Sequence, residues 1–184
     1  MNKLNVLVIG GGMITQQVIL PLLIEEKEKG KISSIAVASR RKSTIEQLSA
    51  LFPKAKIKGY PEKKDQDPDG WEIAIEELEK PGVVIVATPD DLHAEMTLAA
   101  IEQHHDVIVQ KPLCLTVGDA KNILDQSRKN AVYVFTDYHK RHDLSLRAAQ
   151  YKYRKGELGE VLCGHAWHEQ RREIPLKYFR NWCE

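Results

Sequence analysis

The sequence predicts an α/β protein, a doubly wound parallel sheet followed by the incomplete start of a second, α/β (α+β) domain. Three observations predict it. Apolar runs of strand length alternate with helical patterns through the first two-thirds of the 184 residues, as strands covered on both faces require. The run Val6-Leu7-Val8-Ile9 breaks into Gly10-Gly11-Gly12 and restarts as a helix at Met13, the order of a strand, a phosphate-gripping turn and a helix N-terminus. After Phe135 the alternation gives way to a polar stretch from Thr136 to Asp143, and the helix and one or two strands beyond it cannot bury a core of their own. The expected domains are 1–137 and 138–184, the second stopping near its beginning.

Taken in order, strands are expected over residues 4–9, 35–38, 83–87, 107–109 and 132–135. Helices are expected over 13–29, 44–51, 71–79, 94–103, 117–129 and 144–155. The first helix offers Ile14, Val18, Leu22 and Ile24 as its buried stripe, and Gly30 stops it after a charged last turn. A short strand over 55–58 has charges that leave little to bury, and residues 60–70, with Pro61, Pro68 and Gly70, read as a surface loop. Near the end, residues 161–168 alternate like a strand, which sends His165 and His168 to opposite faces and argues against a shared metal.

Composition excludes several classes. A net charge of +1 gives no electrostatic case for nucleic acid or an acidic membrane surface. The longest apolar stretch, Val18 to Ile24, contains Pro21 and is too short to span a bilayer. The N-terminus runs straight into a core strand, leaving no room for a signal peptide. Cys114, Cys163 and Cys183 are odd in number and widely spaced, which suits reduced thiols in a cytoplasm.

The candidate chemistry gathers at strand ends. Gly10 permits the tight turn, Gly12 lets the backbone approach a pyrophosphate, and the helix opening at Met13 and Ile14 aims its amides at that anion. Thr15 stands where a third glycine is usual, a departure that leaves both phosphate-facing positions intact. The second strand ends in Ser39-Arg40-Arg41 instead of an acidic residue for a ribose 2′-hydroxyl; a hydroxyl and guanidinium forks fit a 2′-phosphate, so NADP is expected, with NAD as the alternative. The next strand end, Ala87-Thr88-Pro89-Asp90-Asp91-Leu92-His93, offers Thr88 and Pro89 as a cofactor wall. Asp90 or Asp91 serves there as a helix cap, and His93 either bonds the cofactor or covers the helix end. Gln110-Lys111-Pro112 puts an ammonium at the same edge, where it can stabilise charge during hydride transfer. His104 and His105 read as the structural end of a surface helix.

Gly10 to Ile14, Ala87-Thr88-Pro89 with Leu92-His93, Gln110-Lys111-Pro112 and Tyr138-His139-Lys140-Arg141, in this order, resemble the Gfo/Idh/MocA family, relatives of glucose-fructose oxidoreductase and inositol dehydrogenase. The resemblance implies an N-terminal Rossmann domain holding NAD or NADP, and a C-terminal domain built on a large antiparallel sheet. It further implies a sugar, cyclitol or related polyol as the small-molecule substrate, and a homo-oligomer in the complete protein. Lys111 is similar to the family's catalytic lysine, Gln110 replaces the family's glutamate beside it, and Arg141 approaches the nicotinamide or substrate. The family's proton-transferring histidine, from a helix of the second domain, has no counterpart here; His139 and His142 are weak substitutes. Trp167, Tyr178, Phe179 and Trp182 fit a sugar pocket or plain packing equally. Two readings stay open: an NADP-dependent oxidoreductase of which this chain carries mainly the cofactor half, binding but hardly turning over, and a non-enzymatic NADP-binding regulatory or partner-binding module.

Overall fold

The computed structural model describes residues 3–167, 169 and 171–173. The chain divides into two compact units, Met1–Asp137 and Tyr138–Glu184. In the first, β1 (Leu4–Ile9), β2 (Ile32–Ala38), β3 (Lys58–Tyr60), β4 (Gly82–Val86), β5 (Asp106–Gln110) and β6 (Val134–Asp137) form a sheet in the order β3-β2-β1-β4-β5-β6. Every pairing is parallel. The helices α1 (Leu20–Glu28), α2 (Lys42–Leu51), α3 (Gly70–Glu76), α4 (His93–Glu102) and α5 (Val117–Asn130) make the crossovers. This is a Rossmann-type sheet, and its order reverses direction between β1 and β4, the crevice where doubly wound folds bind ligands.

Strand alternation sorts the core into two layers. Val6 and Val8 face Leu20, Leu23 and Leu48 on one side of the sheet, while Leu7 and Ile9 face Trp71, Ile101 and the rest of the other layer. Leu7, Val8, Val84 and Val86 are fully buried, so β1 and β4 form the rigid centre from which the glycine turn departs.

The first helix corrects the expected stripe. Val18 and Leu22 are exposed, and Thr15, Ile19, Leu20 and Leu23 are buried instead. Thr15 sets the phase: its hydroxyl donates to the Gly10 carbonyl at 2.6 Å, turning that side chain inward and carrying residues four, five and eight positions later with it. A π-helical turn over Thr15–Ile19 precedes α1, and Gly30 then ends the helix at φ +76°. Its amide bonds the Lys27 carbonyl and that of Lys31 bonds Glu26, a Schellman closure.

Four other expectations shift. The short edge strand lies at Lys58–Tyr60 rather than 55–58, because Tyr60 is the side chain with something to bury. Tyr60 therefore ends a strand and Gly70 opens α3, so the loop is confined to 61–69. Strand β6 starts two residues late because the Val132 amide is taken by Ser127 in closing α5. Neither Asp90 nor Asp91 makes a capping hydrogen bond; they lie in a 3-10 turn, Asp90–Leu92, where they complement the helix dipole by charge alone.

His105 is not a surface residue. It is 2% exposed beneath Gly82, where a Cβ would stand 2.5 Å from its Nδ1, and Nδ1 has no hydrogen-bond partner. Burial, the largest cause, holds its pKa below the ordinary 6.5, aided by Lys80 and His104 and opposed by the Ile75 backbone and Asp106. The folded ring takes up its proton at a lower pH than the unfolded chain, which does so near 6.5. Stability is therefore complete above that pH and falls below it, by up to about 1.4 kcal/mol per pH unit. Urea unfolding at pH 7.5 and 5.5 checks this, and His105→Gln is expected to flatten the difference.

In the second unit, a 3-10 turn (His139–His142) leads into α6 (Leu144–Arg154), capped by Asp143 accepting from the Ser145 amide at 2.9 Å. Residues 161–167 form no strand, since no described strand of this unit is there to pair with them. His165 is exposed, as is Trp167, and His168, Tyr178, Phe179, Trp182 and Cys183 lie outside the described residues. No described helix is long and apolar enough to cross a membrane.

Candidate functional site

Register brings the predicted residues to one edge. Ile9, Ala38, Val86 and Val109 form a row across β2, β1, β4 and β5, so Gly10, Ser39, Ala87 and Gln110 stand one residue beyond it. Thr88 and Lys111 follow immediately. With strands about 4.8 Å apart, Lys111 is rooted about 10 Å from the glycine turn, within the length of one dinucleotide.

Three glycines make the turn for three reasons. Gly10 has φ +108°, its amide bonds the Ala38 carbonyl at 2.8 Å, and a Cβ there would collide with the Ala87 carbonyl. Gly11 is buried, with the Thr44 methyl 2.5 Å from where its Cβ would be. Gly12 is exposed, and a Cβ on it would meet nothing within 4 Å. No described residue packs against that position, so the space above it is open to a ligand. The amides of Gly11 and Gly12 donate to no acceptor among the described residues, and the first helical bond runs from the Gln16 amide to the Gly12 carbonyl at 3.1 Å. These free donors at a helix start suit an anion. Met13 and Ile14 form that first turn, Met13 exposed and Ile14 half-buried.

Two residues that sequence reasoning undervalued hold the turn. Thr15, fully buried, donates its hydroxyl to the Gly10 carbonyl, and the Gln16 side chain donates from Nε2 to the Gly11 carbonyl at 3.0 Å. Both carbonyls are thereby drawn back toward the helix, leaving the amides to face outward. The Thr15 departure is thus a satisfied polar group, and the only signal for it in the sequence is a hydroxyl five residues after a turn glycine.

The segment 61–69 fixes the backbone of the basic end of β2. The Asp67 amide bonds the Arg40 carbonyl at 2.9 Å, the Lys42 amide bonds Asp65 at 3.0 Å, and Arg41 bridges Gln66. Arg40 and Arg41 are exposed, and neither forms an ion pair among the described residues. Ser39 is half-buried beside the turn. A cavity of about 250 Å³ opens here between Arg41, Lys42, Ser43, Glu46, Asp65 and Gln66.

On the β4 side, Thr88 donates its hydroxyl to the Met96 sulfur at 3.6 Å, and Pro89 is exposed. His93 corrects an expectation. It is completely buried, Nδ1 lying 2.6 Å from the Pro112 carbonyl and Nε2 3.0 Å from the Thr88 carbonyl, so neither nitrogen is left for a cofactor. Lys111 is exposed in the loop after β5. Gln110 does not stand alone: its amide donates to Asp137 at 2.9 Å, directly across β6. The negative charge missing at position 110 is therefore present on the neighbouring strand, a residue that the sequence reading left in a polar hinge.

Arg141 lies in the second unit, its guanidinium 5.0 Å from the centre of the Tyr138 ring, on the same 3-10 turn as His139 and His142. Cys114 is half-buried and Cys163 exposed, both as free thiols. No group of three or more potential metal ligands gathers among the described residues.

Residues 4–138 match the GFO_IDH_MocA group, described as an oxidoreductase family with an NAD-binding Rossmann fold. Over 174 residues the chain is 27% identical to a D-glucoside 3-dehydrogenase of Escherichia coli (strain K12), covering 95% of this chain and 46% of that protein. Over 85 residues it is 33% identical to a 1,5-anhydro-D-fructose reductase of Ensifer adhaerens, covering 46% of this chain and 26% of that one. The chain thus spans about half or less of the curated relatives it matches. Among solved structures, a 3-ketoreductase of Actinomadura kijaniata in complex with TDP-benzene and NADP superposes with a TM-score of 0.65 at 25% identity, over 87% of this chain and 46% of that one. An oxidoreductase from Bacillus cereus gives 0.70 at 26% identity, over 87% and 42%.

Proposed function

The chain belongs to the Gfo/Idh/MocA oxidoreductase family, and from that premise we propose that it holds NADP at the glycine turn for hydride exchange with a sugar or polyol carbon. The observation that carries this reading is the common edge: the open cradle over Gly12, the basic end of β2 and Lys111 all lie at the carboxyl ends of one sheet. When bound there, a nicotinamide supplies or accepts the hydride. The residues of this chain do the rest.

Gly11, Gly12 and the helix behind them bind the pyrophosphate through backbone amides. Ser39, Arg40 and Arg41 take the 2′-phosphate, a role supported by two exposed guanidinium groups that form no ion pair among the described residues, on a backbone that segment 61–69 fixes. Thr88 and Pro89 wall the nicotinamide side. Lys111 holds or moves the proton at the substrate oxygen, where an ammonium stabilises the charge that develops as hydride leaves or arrives. The relatives named for glucosides and anhydrofructose support a carbohydrate-like alcohol or ketone as the substrate class.

A fluorescence titration tests the cofactor assignment. NADPH is expected to bind about 10- to 100-fold tighter than NADH, the worth of one or two charge-assisted phosphate contacts. Arg40→Glu is expected to abolish that preference. Equal affinity, or tighter NADH, overturns the role given to Ser39, Arg40 and Arg41.

A further inference from the structure

His93 is the first residue of α4, and its completely buried ring spans two loops that leave different strands. Nδ1 lies 2.6 Å from the carbonyl of Pro112, the residue after Lys111, and Nε2 lies 3.0 Å from the carbonyl of Thr88. Both partners are carbonyls, which only accept, and the shorter contact is the one to Pro112. Loss of the ring strips a half-buried carbonyl of its partner, so this bond restricts where the loop after β5 can rest.

We infer that His93 is a positioning residue, a clamp that joins the cofactor wall at Thr88 to the Lys111 loop and fixes the lysine relative to the nicotinamide side of the cradle. The inference rests on the cofactor reading above for its consequence, but the clamp itself is a property of the chain alone. Lys111 is exposed and forms no ion pair among the described residues, so its root is set by backbone anchors. The bond from His93 to Pro112 is the anchor immediately beyond it. On the other side, the Gln110 amide bound to Asp137 anchors the preceding residue. Lys111 is thus held between two fixed neighbours while its own side chain stays free to reach a ligand.

Two amide side chains separate the halves of the clamp. In His93→Asn the amide nitrogen takes the place of Nδ1 and keeps the bond to Pro112; in His93→Gln it takes the place of Nε2, keeps Thr88 and releases Pro112. His93→Leu releases both. Cys114, half-buried two residues beyond Pro112, reports on the loop without any ligand, and exposed Cys163 serves as an internal reference.

Iodoacetamide alkylation followed by mass spectrometry is expected to show Cys114 reacting about fivefold faster in the Gln and Leu variants, with Asn within about twofold of wild type and Cys163 unchanged. In parallel, NADPH affinity is expected to fall about tenfold in Gln and Leu, while 2′-phospho-ADP-ribose, which lacks the nicotinamide, holds within about twofold. Equal Cys114 rates in the Asn and Gln variants overturn the clamp. Equal losses for the two ligands overturn its positioning role, since a general loss of structure would weaken both. If His93→Leu does not fold, the Asn and Gln pair decides. If wild type binds neither ligand, it is the cofactor reading that has failed, and the Cys114 comparison still decides whether the clamp exists.

Discussion

Gly12→Asp is expected to lower NADPH affinity by at least about 100-fold, or about 2.8 kcal/mol, with no loss of thermal stability. The two halves of that result have separate causes. A Cβ at position 12 meets nothing in the folded chain, and the Gly12 carbonyl already accepts the first helical bond, so the position is an N-cap in which aspartate is among the preferred residues. A carboxylate there also complements the helix dipole, so the melting temperature is expected to hold or rise. The same carboxylate fills the cradle and sets a negative charge a few ångströms from the pyrophosphate, where repulsion and lost contact act together. Isothermal titration beside a thermal melt checks both. A folded Gly12→Asp chain that keeps wild-type affinity would mean that the pyrophosphate does not lie over this turn.

That contrast between neighbouring glycines shows what a sequence can and cannot convey. The strand and helix order is readable because the central strands are buried on both faces and their apolar runs survive any detail of packing, as Val6 to Ile9 and Val84 to Val86 do. Edges and ends were less readable. Tyr60 draws β3 toward itself, and the closure of α5 on Val132 delays β6, because both depend on contacts distant in sequence or on competition for one amide. Within the site, residue types that act through the backbone gave the strongest signal, since a glycine turn is legible as glycine. Side chains that act through another residue's carbonyl gave almost none. Thr15 reads as a blemish in the motif, His93 as a cofactor ligand and Asp137 as hinge polarity until the fold places the Gly10 carbonyl, the Pro112 carbonyl and the Gln110 amide beside them. His105 shows the same limit, because nothing local says that Gly82 leaves room for an imidazole beneath it.

Gly10→Ala is expected to be the most damaging of these substitutions to the fold itself, costing at least about 4 kcal/mol and lowering the melting temperature by about 10 °C or more. A φ of +108° lies where an L side chain is strained before any neighbour is considered. The neighbour is then a backbone carbonyl, that of Ala87, which cannot rotate aside. The Ala87 amide bonds the Ile9 carbonyl at 2.8 Å and the Gly10 amide bonds Ala38 at 2.8 Å, so relief of the collision requires parting β1 from β4 or β2 at the sheet's centre. Gly11→Ala meets only the methyl of Thr44, a side chain on α2 that can yield, and its cost should be intermediate. The expected order of melting temperatures is therefore Gly12→Ala above Gly11→Ala above Gly10→Ala. The affinity measured on whichever chains fold then separates the glycine that serves the ligand from the glycine that serves the sheet. A Gly10→Ala chain that melts with wild type would overturn the packing account of the turn, because no other position in it sets a new side chain against fixed backbone.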